Sequence, residues 1–154
     1  MREITPEMVN SATPLELTII NHELLIQNID NAIATKPRSE QLSAALQKAK
    51  ECAAVLYESL NLDVEFSYDL AELYVFINVS LTRAGFETSI EEKNEVLGNI
   101  KHIVTELMGA WQTIDPEDVK KQAASGTIYT GLTYDADGNL TEYDDYDPDG
   151  GYKI

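Results

Sequence analysis

Thiols are almost absent from this sequence. Cys52 is its one cysteine, which excludes an intramolecular disulfide and a cysteine-based zinc cluster. Cations are scarce as well: 11 Lys and Arg stand against 27 Asp and Glu, a formal net charge of −16. That balance argues against nucleic acid or anionic lipid as partners, because phosphate binding needs clustered cations. No apolar run approaches the roughly 20 residues of a membrane span, and Met1-Arg2-Glu3-Ile4-Thr5-Pro6-Glu7 has no signal-type apolar region. The expectation is a soluble, cytoplasmic protein without membrane insertion. Helix breakers are few between Pro14 and Ile114, where only those two features, Pro14 and Pro37, and the glycines 85, 98 and 109 occur.

Catalytic constellations are missing too. His22 and His102 fall in the middle of different helical segments, and neither has a glutamate three residues before it, as a di-iron bundle would need. No glycine-rich phosphate loop follows a strand, and no His-Glu-x-x-His occurs. Cys52 lies on an apolar seam, where a buried thiol is inert. These absences point to a protein that is not an enzyme and carries no cofactor or metal.

What is present is helix grammar. The chain of 154 residues is 44% hydrophobic, enough for one domain with a real core, or one domain plus a tail. Thr13-Pro14-Leu15-Glu16 is a capping box with proline at the first helical position. Leu15, Ile19, His22, Ile26, Ile29 and Ile33 then recur at spacings of three and four, the mark of one helix face. A second helix starts near Ser39, with a stripe of Leu42, Ala45, Leu46, Ala49, Cys52, Ala53, Leu56 and Leu60. The third runs from about Glu65 to Ala84 on Phe66, Leu70, Leu73, Ile77, Leu81 and Ala84, and Gly85 stands where a C-terminal cap belongs. Ser89-Ile90-Glu91-Glu92 opens a fourth, with Leu97, Ile100, Val104, Leu107, Trp111 and Ile114. Asp115-Pro116-Glu117-Asp118 starts a short fifth helix through about Ala124. Helices of roughly 20 to 26 residues joined by short connections must lie antiparallel. The predicted fold is all-α, an antiparallel up-down four-helix bundle with a short fifth helix.

After these seams are assigned, apolar residues remain: Val75, Phe76 and Val79 on the third helix, Tyr57 on the second, and Leu17, Ile20 and Leu24 on the first. Either they widen the core or meet the tail, or they form a groove for an amphipathic partner. Beyond Gly126 the composition changes. The stretch 126–154 carries seven acids against Lys153 alone, and five of the eight tyrosines. Thr127–Tyr134 and Leu140–Tyr143 flank the turn cluster Asp135-Ala136-Asp137-Gly138-Asn139, so the Tyr/Asp/Gly-rich tail reads as a β-hairpin in need of support or as disordered chain. Asp145-x-Asp147-x-Asp149-Gly150 imitates the opening of a calcium loop but lacks its closing glutamate; a solvated acidic tail is the better reading.

Ser11-Ala12-Thr13-Pro14-Leu15-Glu16-Leu17 resembles the start of the first bundle helix of the flagellin export chaperone family, FliS. Glu65-Phe66-Ser67-Tyr68-Asp69-Leu70-Ala71-Glu72-Leu73-Tyr74-Val75-Phe76-Ile77, with Leu81 and Ala84 behind it, is similar to that family's Glu-Ile-Ala-x-Asn-Leu-x-x-Leu-Tyr-x-Tyr-Met segment. Leu107 to Ile114, centred on Trp111, resembles its last long helix. The likeness covers roughly residues 9 to 115. The chain departs from the family at Asn21-His22-Glu23, at Asp63-Val64, and at Val79 and Ser80, where paired arginines are usual. The resemblance implies a cytoplasmic chaperone without ATPase activity. It would hold the disordered C-terminal segment of flagellin in apolar grooves, prevent premature polymerisation and deliver it to the flagellar export gate, as a monomer or weak homodimer. The candidate groove residues are Tyr57, Tyr74, Val75, Phe76, Val79 and His22; His22, on an apolar seam, reads as either a hydrogen-bonded core residue or a groove residue. Residues 1–12, through Ile4, Met8 and Val9, would form a lid; residues 13–125 the bundle; residues 126–154 the tail. The alternative is a bundle of the same fold that does not bind flagellin, its groove covered by its own tail.

Overall fold

The computed structural model describes residues 2–60, 65–115 and 117, with the side chains of residues 65 and 66 excepted. Five helices appear among them: α1 (Pro6–Ser11), α2 (Pro14–Ile33), α3 (Glu40–Glu58), α4 (Glu65–Ala84) and α5 (Ile90–Gln112). The four long helices are those expected, and the short connections make neighbours antiparallel. Around the bundle, α2 packs on α3 and α5, and α4 closes the square against α3 and α5. The expected helix after Asp115 and the tail beyond it lie outside the described residues.

The starts of α2, α3 and α5 are capped as their sequence dictates. The hydroxyls of Thr13, Ser39 and Ser89 accept from the amides of Glu16, Leu42 and Glu92, satisfying donors that the first turn leaves unpaired. The fifth helix of the count is α1, which the apolar periodicity did not predict. Its own signal is Thr5-Pro6: the Thr5 hydroxyl accepts from Met8 N, and Pro6 takes the first helical position. The same Thr-Pro start that opens α2 therefore also opens α1 eight residues earlier.

The core runs the length of the square. Leu25, Ile29, Ala49, Ala53, Ile77, Leu81, Leu97 and Val104 are wholly enclosed. Several seam residues are less buried than expected: Ile19, Ile33, Cys52, Leu107 and Ile114 pack against the core only partly, and Leu73 is half-buried. On α2 the buried set is broader than one seam, taking in Ile20, Glu23 and Leu25. This helix has α3 on one side, α5 on another and the N-terminal segment across a third. Of the second row expected there, Ile20 widens the core, while Leu17 and Leu24 are half-buried. Gly85 does not end α4 in the left-handed region; Gly85 N bonds back to Thr82 O. What its missing side chain provides is room, since a Cβ there would stand 3.3 Å from Leu46 Cδ1. The left-handed residue is instead Arg38, at φ 58°, in the loop between α2 and α3.

A lysine is sealed into this frame. Lys93, on the inner face of α5, is fully buried. Its ammonium donates to the carbonyls of Ala32 (2.7 Å), Ile33 (3.2 Å) and Thr35. An ammonium has three N–H bonds, and here each finds an acceptor among the carbonyls at the end of α2; that of Ala32 also accepts from the Thr35 amide and hydroxyl. The positive charge also sits at the negative end of the α2 dipole. Burial lowers the Lys93 pKa from its ordinary value, while the three carbonyls hold the proton in place. Lys93→Met keeps the length of the stem and takes the ammonium donor from the Ile33 and Thr35 carbonyls. It should lower unfolding stability by about 2–4 kcal/mol, read as a shift in urea midpoint at unchanged slope.

Candidate partner-binding site

Helix α4 turns one face inward and leaves another uncovered. Inward, Leu70, Ala71, Tyr74, Ile77, Leu81 and Ala84 are buried. Outward, Tyr68, Val75, Phe76 and Val79 are 55%, 48%, 50% and 62% exposed. Spacings of seven, one and three place them along one side of the helix. Four large apolar side chains on one face, unclothed by any described element, form a patch of the kind that binds partners. Tyr68 was not singled out from sequence; its signal is that it stands one heptad before Val75.

Beside this face, α3 and α4 leave a groove. Its middle is lined by Lys50, Glu51, Ala54, Asn78, Val79 and Thr82 and encloses about 410 Å³. Towards the loop between α2 and α3 it continues over Leu42 and Leu46, past Arg38, Lys50 and Phe86, for about 350 Å³ more. Asn78 Oδ1, buried in this wall, has no hydrogen-bond partner among the described residues. Val55 on α3 and Phe86 are further exposed apolar side chains; neither belongs to a helical seam, which is why periodicity passed over them. Tyr57 packs partly into the core.

His22 was open between core and groove and Tyr74 was expected in the groove; the structure places both in the interior, at 0% and 1% exposure. They form one hydrogen-bonded chain across three helices. His22 Nδ1 lies 2.8 Å from the Thr18 carbonyl, which can only accept, so Nδ1 carries the proton. Nε2 then accepts from the Tyr74 hydroxyl at 3.0 Å, and that hydroxyl accepts from Trp111 Nε1 at 3.4 Å. The rings pack as well, with His22 centroids 5.9 Å from Tyr74 and 6.4 Å from Trp111. Every polar atom of the three rings is thereby used, which is what permits their burial. Burial pulls the His22 pKa down to about 4 and pushes that of Tyr74 up, so both are neutral at pH 7.

The N-terminal segment lies along α2. Arg2 grips Glu23 with two N–H bonds, Nε to Oε2 at 2.9 Å and Nη2 to Oε1 at 2.8 Å, and Gln27 Nε2 donates to the Arg2 carbonyl. Ile4 and Met8 are half-buried, and Val9 is exposed. Of the residues expected in a lid, Ile4 and Met8 therefore contribute covered apolar surface and Val9 does not. Among the described residues no group of three His, Cys, Asp or Glu is placed to hold a metal ion, and no helix is long and apolar enough to cross a membrane. Cys52 is half-buried, and burial pushes its thiol pKa up, away from nucleophilic use.

The buried histidine makes stability depend on pH with a defined sign. Its folded pKa, about 4, lies below the unfolded value near 6.5. Above pH 6.5 it is neutral in both states and contributes no pH dependence. Below that, the unfolded chain binds the proton and the folded chain does not, so stability falls towards pH 4 by about 3 kcal/mol in all. Urea midpoints between pH 7 and 4.5 should show this loss, and the His22 ring resonances should remain those of neutral imidazole at pH 5.5. Tyr74→Phe, which leaves His22 Nε2 and Trp111 Nε1 unpaired, should cost about 1–3 kcal/mol at pH 7 with helical content intact.

The fold, four antiparallel helices with an uncovered apolar face on α4, agrees with what a family comparison finds. Residues 4–118 match the family described as flagellar protein FliS, a span that takes in the N-terminal segment and all four long helices. No curated protein matches the chain. The chain belongs to the FliS family, a family of flagellar export chaperones.

Proposed function

We propose that this protein holds the disordered C-terminal segment of flagellin in the cytoplasm, lays its apolar face on α4 and in the groove between α3 and α4, and passes it to the export gate. The observation that carries this reading is the outward stripe Tyr68, Val75, Phe76 and Val79, each about half exposed or more. Such a stripe on a rigid bundle suits an amphipathic segment that becomes ordered as it docks, its own apolar anchors recurring at helical spacing. Covering those anchors blocks self-association of the cargo and leaves the rest of the cargo chain unfolded. Ordering the segment costs entropy, so the contact must run over a long surface; the groove and the α4 face together supply one. Binding without a chemical step accords with a chaperone that uses no nucleotide, acting as a monomer or weak homodimer.

The test is direct. Phe76→Glu and Val79→Glu each place a carboxylate where the cargo would exclude water, a burial that costs several kcal/mol when unpaired. Calorimetry against a peptide of the flagellin C-terminal segment should show at least roughly tenfold weaker binding for each, with circular dichroism and unfolding cooperativity unchanged. Normal affinity in both variants would place the cargo elsewhere on the bundle. Val75→Ala and Ile77→Ala separate surface from core in the free protein: the first should change stability by less than about 0.5 kcal/mol, the second by about 2–4 kcal/mol.

A further inference from the structure

The cations of this acidic chain are unevenly placed. Among the described residues, Arg2 and Lys101 are paired to Glu23 and Asp30, and Lys93 is buried on backbone carbonyls. The remaining described cations, Lys36, Arg38, Lys48, Lys50 and Arg83, make no ion pair with another described residue, and all lie on α3, in the loop before it, or in the last turn of α4. Two of them, Arg38 and Lys50, line the far end of the groove, and no carboxylate lines it with them. Its floor is Leu42 and Leu46, and on its rim stands Phe86, which at 67% is the most exposed large apolar side chain described. Arg38 is drawn to that rim by its bond to the Phe86 carbonyl, 3.3 Å. The site thus pairs apolar surface with unpaired positive charge in a protein of net charge −16.

The sequence contains a segment of opposite character. Residues 142–149 read Glu-Tyr-Asp-Asp-Tyr-Asp-Pro-Asp, carboxylates alternating with two tyrosines. We propose that this segment docks in the Arg38–Lys50–Phe86 end of the α3–α4 groove of its own chain. Carboxylates meet Arg38 and Lys50 there, and Tyr143 and Tyr146 meet Phe86 and the leucine floor. Elsewhere the acidic body repels the segment. The groove end lies at the opposite end of the bundle from the C-terminus of α5, about 35 Å away for a helix of 23 residues. About 26 residues separate Glu117 from Tyr143, and a flexible chain of that length has a mean end-to-end distance of about 30 Å. Tether and span therefore match, the condition for the highest effective concentration. The inference does not depend on flagellin binding: it rests on Arg38, Lys50 and Phe86, none of which belongs to the Tyr68, Val75, Phe76 and Val79 stripe that carries that reading.

Zero-length carbodiimide cross-linking of the full-length protein, mapped by mass spectrometry, tests the proposal on an equal mixture of ¹⁴N- and ¹⁵N-labelled chains. Expected are same-isotope links from residues 142–149 to Lys50, reduced threefold or more in 1 M salt, where the Debye length shrinks to about 3 Å. Tyr143→Ser with Tyr146→Ser keeps every carboxylate and should also reduce the Lys50 link threefold or more, while links to Lys120 and Lys121 hold. These substitutions lie outside the described bundle, and an unchanged circular dichroism spectrum checks that it remains folded. Mixed-isotope links would overturn the proposal in favour of a second copy of the chain. Links spread evenly over Lys36, Lys48, Lys50 and Lys101, or insensitive to the tyrosine changes, would overturn docking altogether.

Discussion

The Tyr74 hydroxyl is the point on which the arrangement of the bundle turns. It donates to His22 on α2 and accepts from Trp111 on α5 while belonging to α4, so three of the four long helices meet at one oxygen. Apolar packing alone is non-directional and tolerates sliding by a turn. A buried donor and acceptor do not tolerate it, because each register but one leaves them unpaired at a cost of kcal/mol. With Tyr74 committed to the interior, the helix's rotation of about 100° per residue carries Val75, Phe76, Val79 and Tyr68 round to the outside. The exposed face is thus a consequence of the interior bond.

Lys93 does the same work at the other end of the α2–α5 pair. Trp111 and Lys93 stand 18 positions apart on α5, about 27 Å along the axis. Each is tied to a different part of α2, the first through Tyr74 to His22, the second to the carbonyls that end the helix. Between them Leu97, Ile100 and Val104 are buried, and Lys101 pairs with Asp30 at 2.8 Å on the surface. That surface pair adds little in water; the two buried ties set the register.

A frame held in this way has little reason to move when it binds. Its contribution to an export chaperone is a pre-formed surface, so that in the function proposed above the ordering cost falls on the partner. The charge distribution divides that surface. The outer face of α4 carries the apolar stripe Tyr68, Val75, Phe76 and Val79, and the far end of the groove combines an apolar floor with the cations Arg38 and Lys50. The first suits an amphipathic segment by shape and spacing, the second an acidic one by sign of charge.

The amino-acid sequence by itself determined the helices, their limits within a residue or two, and their antiparallel order. Those follow from local rules: capping hydroxyls, proline at first positions, apolar spacing, and connections too short for any other path. Thr5-Pro6 belonged to the same grammar and was readable, although six residues are too few to show a periodicity. Val75, Phe76 and Val79 were also legible, as apolar residues left over once the α4 seam had been assigned. What only the tertiary structure decided was the fate of the polar residues on those seams. Sequence spacing puts His22 and Lys93 on inward faces, but whether such a residue is buried, or opens a groove, depends on an acceptor or donor contributed from 52 or 61 positions away. Tyr74 illustrates the limit most plainly. It stood among the candidate groove residues, and it was the partners on α2 and α5 that drew its hydroxyl, and with it the ring, into the core.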